Sequence, residues 1–224
     1  MRKVILVSFV SLLWLLTSCA TFRSDLSGAY TGEVKRNPNT APVSVFFVFT
    51  HVEQTIGYDA VPKLVSKNSS THSFDEIFAD ALREFSNTGK YATFTEEASD
   101  VNQPERRAKK DSLKGQFDYT VKVRIVSEKY FSGFFLGTLF SSISATLLPI
   151  PFKQYYRMET EIITKDGKLV GKYKRNATLS KWVETFLIFV YPFHPENRKR
   201  EEIYVAMLHD TFRQIESEGV LSAK

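Results

Sequence analysis

The chain has 224 residues, a formal charge of +5 and a single cysteine, and it is rich in aromatics, with nineteen Phe and ten Tyr. One thiol excludes an internal disulfide framework. The charge falls to +3 once Arg2 and Lys3 are set aside, a mild excess that implies no nucleic-acid partner, and the length suits one domain with a real core.

Met1-Arg2-Lys3 is a short basic start, and Val4 to Leu16 is an apolar run of signal-peptide length, too short for a comfortable transmembrane span. Residues 1–18 therefore read as a signal peptide outside the fold. The run ends in Leu16-Thr17-Ser18-Cys19, which resembles the lipobox of bacterial lipoproteins: an aliphatic residue, two small ones, then the cysteine. That resemblance implies a triacylated, palmitate-bearing Cys19 as the mature N-terminus, and Ala20 in second place implies sorting to the outer membrane. Several acyl chains give the stable anchoring that one does not. The alternative is an incidental cysteine after an ordinary signal or an uncleaved anchor.

From Phe22 to Pro42 the chain is polar and without sustained period, so 19–42 reads as a tether between lipid and domain. Val43 to Phe49, "VSVFFVF", is a dense strand, followed by a loop through Gly57 and Pro62. "SFDEIFADALREFSNTGK" reads as a helix: Ser73 and Glu76 make a capping box, Phe74, Ile77, Phe78, Ala81, Leu82 and Phe85 keep helical spacing, and Gly89 suits the stop. Lys90 to Thr95 alternates as a strand does. The polar stretch 96–115 reads as a solvated loop or short exposed helix, its Arg106, Arg107, Lys109, Lys110 and Lys114 being the alternative contacts for anionic headgroups.

"QFDYTVKVRIVSEKY" alternates cleanly, with Phe117, Tyr119, Val121, Val123 and Ile125 on one face and Asp118, Thr120, Lys122 and Arg124 on the other. Residues 154–164 and 169–179 read as a hairpin joined through Lys165-Asp166-Gly167-Lys168, and a final helix spans about Glu196 to Ser217 with a stripe of Val205, Leu208, Phe212 and Ile215. The order predicts a single α+β domain over 43–224: two layers, a mainly antiparallel sheet with helices on one face, and two apolar insertions at about 130–152 and 182–195.

The first insertion carries no charge between Lys129 and Lys153. One transmembrane helix here would separate the flanking strands across the bilayer, and two need about forty residues. Two β-strands fit only if several subunits pool hairpins into a closed barrel. A lipidated α+β domain with two such insertions is similar to the curli-secretion lipoprotein family, which implies an oligomeric outer-membrane export channel. Against a hairpin, Gly133, Gly137, Ser141 and Ala145 recur every four residues and line one helical face, while Phe131, Phe135, Leu139, Phe140, Ile143 and Leu147 surround it. Pro149 and Pro151 also stop a helix more naturally than they extend a paired strand. The stretch reads as a helix that contacts membrane or a second copy, with burial in its own domain as the competitor. The second piece, with Trp182, Phe186 and Phe189, is too short to cross as a helix and is expected beside the first.

No catalytic motif occurs, and His51, His72, His194 and His209 are scattered without paired spacing. The expectation is a non-enzymatic, lipid-anchored envelope protein without cofactor or metal. Its candidate lipidation site is Cys19, and its candidate membrane or partner contacts are Phe131, Gly133, Phe135, Gly137, Leu139, Ser141, Ala145, Trp182, Phe186 and Phe189.

Overall fold

The strand-forming runs do what their β-branched and aromatic content dictates and close one sheet. A computed structural model describes residues 18–36, 40–65, 74–144, 148–184 and 195–222. In chain order come β1 (Ser18–Arg23), β2 (Val43–Ile56), β3 (Lys63–Leu64), α1 (Phe74–Ala81), β4 (Thr88–Glu96), α2 (Pro104–Gln116), β5 (Tyr119–Tyr130), α3 (Phe131–Ile143), β6 (Ile150–Thr164), β7 (Leu169–Glu184) and α4 (Glu196–Ser217). The strands order as β1-β7-β6-β5-β2, with β3 and β4 on the far side of β2. β2 runs parallel to β4 and β5, and every other pairing is antiparallel. The domain is α+β, as the element order implies.

The alternation in β5 sorts its residues from Tyr119 to Ile125 as expected, save that Thr120 is buried and that Phe117, ahead of the strand, packs on the opposite face instead of with Tyr119. Val121, Val123 and Ile125 are buried with Val45, Phe47 and Phe49 of β2 under α1 and α4, while Lys122 and Arg124 stay exposed. Phe47 is the hub, with ring centroids 4.9 Å from Phe78, 5.8 Å from Phe212 and 6.5 Å from Phe85. Burying each such ring contributes roughly 1.5–3 kcal/mol. At one corner of the opposite face a smaller cluster of Phe46, Val48, Phe94 and Phe117 packs against Leu113 of α2. Farther along that face Val52 and Val126 pair and are buried, and over β6 and β7 it is a solvated ladder, where Lys172 meets Glu161 at 2.8 Å, as an antiparallel sheet open on one side allows.

The polar excursion is the exposed helix α2. Arg106 and Lys110 turn back onto Asp100 and Glu96, each at 2.5 Å. Because α2 leads into the start of β5, it stands away from the end of the sheet that carries α3. Asp118, placed on the wet face, bolts β5 to β2 by accepting from the Ser44 amide at 2.8 Å and hydroxyl at 2.6 Å. The capping residue Ser73 lies outside the described residues. Gly89 belongs to β4 rather than to a helix stop, since α1 gives way to a 3-10 turn over Leu82–Glu84.

The hairpin stands, with a turn longer than expected. The Gly167 amide donates to Thr164 O at 2.9 Å and the Thr164 amide to Lys168 O at 2.9 Å, so three residues turn the chain and Gly167 takes φ +82. A type I turn followed by a left-handed Gly is the common three-residue solution. β6 begins at Ile150, so Pro151 lies inside a strand, contrary to expectation. Pairing of β6 with β5 stops at Tyr155, and Pro151 pairs only with Trp182 of β7. On its other side β6 is an edge there, where a missing amide costs nothing.

The expected tether is largely docked. Residues 18–23 form β1 along β7, Ser24 donates its amide to Thr178 O at 2.8 Å, and Ser27 bridges Asn176. The unpaired rim of β7 offered backbone partners, and the six residues Ser18–Arg23 took them. The Tyr30 amide then reaches Asp210 of α4 at 3.1 and 3.2 Å. Asp210 also holds Arg175 of β7 at 2.5 Å, with Arg175 4% exposed.

That pair ties sheet, helix and N-terminal segment together. Asp210→Ala leaves the Arg175 guanidinium buried without its counter-ion, and the expected loss is about 3–5 kcal/mol in urea unfolding. Lys172→Ala, on the open ladder, is expected to leave the midpoint unchanged within error.

Candidate membrane interface

β5 runs straight into α3: Tyr130 is still extended, and the helix starts at Phe131 without a side-chain cap. The helix folds back onto the end of β6 through one narrow face, with Gly137 and Ser141 buried and Phe134 half-buried. Phe134 and Phe152 rings lie 5.2 Å apart. A Cβ at Gly137 would meet Phe152 Cε1 at 2.8 Å and Ile150 Cγ2 at 3.4 Å, whereas at Gly133 it would meet nothing within 4 Å. The small-residue stripe is thus half used, and used within the chain. Close approach is to β6 of the same domain, not to a neighbouring helix.

The bulky residues point the other way. Phe135, Leu139, Phe140 and Ile143 are 57%, 45%, 58% and 73% exposed. Thr138 donates its hydroxyl to Phe134 O at 2.8 Å, and Ser142 to Thr138 O at 2.9 Å, so both exposed hydroxyls are satisfied inside the helix. Phe131 stacks on Phe135 at 5.9 Å and on Tyr58 of the β2–β3 turn at 5.5 Å. Tyr58 and Val61 are themselves well exposed and were missed in the sequence, where a Gly-Tyr turn carries no apolar period. Lys129 Nζ sits 5.3 Å over the Phe134 ring, and Tyr130 meets Tyr155 edge-on at 5.7 Å.

Two registers join this helix to the start of the described chain. Ile150 pairs with Val183, and Val183 pairs with Cys19. Two strand spacings, about 10 Å, therefore separate Cys19 from the strand end on which α3 rests. Trp182 lies in β7 between Ala20 and Pro151 and is half-buried, not part of a separate insertion. Ala145, Phe186 and Phe189 fall outside the described residues, as do His72 and His194. Among the described residues no helix is long and apolar enough to cross a membrane. α3 has 13 residues, about 20 Å of helix.

The remaining polar features serve the fold. His209 bridges Glu84 at 2.9 Å and Asp80 at 3.1 Å, clamping α4 to α1. A cleft of about 410 Å³ opens beside the β2–β3 turn, lined by Glu53, Asp59, Lys63, Ser127, Lys129 and Gln154. Its Asp59 is held below the usual carboxylate range by the Lys63 ammonium and the Thr55 amide. Among the described residues no group of His, Cys, Asp and Glu is arranged to hold a metal ion. His51 is half-buried against the Tyr204 ring at 5.2 Å. Burial first, and the Arg200 charge second, bring its pKa down to about 4. Burial likewise raises Tyr156, to about 12, and Tyr204.

No family model matches the chain, and no curated protein does. Among solved structures, a point variant of the PelC dodecamer from Paraburkholderia phytofirmans matches 88% of this chain and 99% of its own at 11% identity, TM-score 0.31. The PelC dodecamer from the same organism, in another crystal form, matches 92% and 100% at 12% identity, TM-score 0.30. Likeness of this order speaks neither to family nor to function.

Two outcomes follow from the geometry. Gly137→Leu drives a side chain into Phe152 and is expected to lower stability by about 1–3 kcal/mol, whereas Gly133→Leu, with the same gain in helix propensity, is expected to leave it unchanged or higher in thermal unfolding. His51 takes up a proton at about 6.5 when unfolded and about 4 when folded, so its contribution is complete above pH 6.5 and is lost as pH falls toward 4. The loss amounts to at most about 3 kcal/mol. His51→Gln should flatten stability against pH across that window.

Proposed function

We propose that this is a non-catalytic, lipid-anchored protein of the bacterial cell envelope, held at the outer membrane by Cys19, whose apolar end faces the membrane that anchors it. The observation that carries this reading is the register Cys19, Val183, Ile150, which sets the lipobox cysteine at the end of the sheet where α3 presents its apolar side. Partners follow from that placement: the bilayer first, and an envelope protein or second copy only through the same end. No nucleic acid or cofactor enters the reading. The export-channel alternative, as a pooled β-barrel, is disfavoured because residues 131–143 are helical and packed on their own sheet.

The test is acylation itself. Cells expressing the full chain are fed an alkyne fatty acid, and the protein is captured and probed. Wild type is expected to carry the label and Cys19→Ala to lose it and to keep its signal segment, visible as a larger mass. Labelling that persists in Cys19→Ala overturns the proposal.

A further inference from the structure

We infer that the outward face of α3, with Tyr58 and Val61 of the β2–β3 turn, is inserted into the lipid leaflet beside the start of β1, as a second and non-covalent membrane attachment. It rests on the placement of the membrane at this end of the sheet, which does not depend on acylation alone. The chain ahead of β1 is the apolar run Val4 to Leu16, and it meets the domain at Ser18. With an acylated Cys19, or with that run kept as an anchor, lipid lies where β1 begins; only an ordinary cleaved signal would remove it.

Lipid fits the chemistry of the surface better than a protein partner does. The helix bears no acidic or basic residue, and the nearest charges in the chain, Lys129 and Lys153, flank the stretch where ammonium groups on long stems reach phosphates from the rim of an apolar patch. Its exposed Thr138 and Ser142 hydroxyls donate to carbonyls one turn back, so they enter hydrocarbon without losing a partner. Phe135, Leu139 and Ile143 are exposed along the helix. A helix of 13 residues lying in one leaflet satisfies its own backbone and needs no crossing. Tyr58, Tyr130 and Tyr155 stand around the helix, the residue type that favours headgroup depth.

Cys19 is the only thiol, and acylation would block it, which makes a depth measurement direct. Leu139→Cys in the full chain is labelled with an environment-sensitive dye and reconstituted in phosphatidylethanolamine and phosphatidylglycerol vesicles. Lys172→Cys, on the open ladder, is the control. The expected result is a blue-shifted dye at 139, quenched severalfold more by nitroxide-bearing lipid than by iodide, with the reverse at 172. Equal iodide quenching at both positions overturns the inference. So does excimer emission from pyrene at 139 at high lipid-to-protein ratio, which would identify a second copy as the occupant. Dye uptake by protein without an introduced thiol would instead sink the acylation reading. The depth measurement would then be repeated on Cys19→Ala, where only residue 139 reacts, and would still decide the role of α3.

Discussion

Direct pairing of β5 with β6 constrains everything at the apolar end. The ladder runs unbroken from Tyr119↔Thr164 to Glu128↔Tyr155, so the chain that leaves β5 must return to the same end of the sheet within about twenty residues. An uncharged insertion in that position has two outlets, burial or exposure at the end of the sheet. The domain core is already filled by α1 and α4, whose Phe78 and Phe212 pack on Phe47. α3 is therefore left at the rim, held by what the first residues of β6 offer.

What they offer is narrow. Ile150 and Phe152 receive a helix only where a residue has no side chain, and Gly137 meets that condition. Four residues earlier, Gly133 faces open space, so the repeat in the sequence overstates the contact. One glycine sets the helix on the sheet, and its rotation turns Phe135, Leu139 and Ile143 outward. Each large apolar side chain left in water forgoes roughly 1.5–3 kcal/mol relative to burial. A rim helix of this kind adds little to folding and reserves most of its apolar surface for contact outside the domain.

Local pattern exposed much of this architecture and little of its joinery. The alternation of β5 from Tyr119 to Ile125, the Asp-Gly turn and the stripe of α4 are each contained within a dozen or two residues and appear where the spacing placed them, except that Thr120 is buried and Phe117, just ahead of β5, packs on the other face. β1 is the opposite case. Its six residues have no period of their own, and their partner in β7 lies about 160 positions later, so only the finished edge of the sheet makes them a strand. Pro151 misled for a related reason, since whether a proline fits a strand depends on which side is paired. The candidate surface was half legible. Composition marked the uncharged stretch, but which of its small residues pack, and that Tyr58 and Val61 join it, depends on how a turn and a strand end meet in space.

The docked N-terminal strand changes what an anchor at Cys19 would do. A free tether of about twenty residues lets a domain wander roughly 25 Å from its lipid. A strand zipped onto β7 from Cys19 to Arg23 leaves no such slack, and Arg23 is further tied to Glu202 of α4 at 3.2 Å. An acylated Cys19 would then hold the sheet end itself at the bilayer surface, with the strand end that carries α3 about 10 Å away across two strand spacings. Under that constraint the face encounters lipid at high effective concentration, so even weak partitioning counts almost in full. Rotation about the anchor becomes the remaining freedom, and two points of attachment suppress it. The domain would stand with β1, β6 and β7 end-on to the lipid and its charged ladder, Lys122, Glu161 and Lys172, facing along the membrane toward whatever else shares the surface.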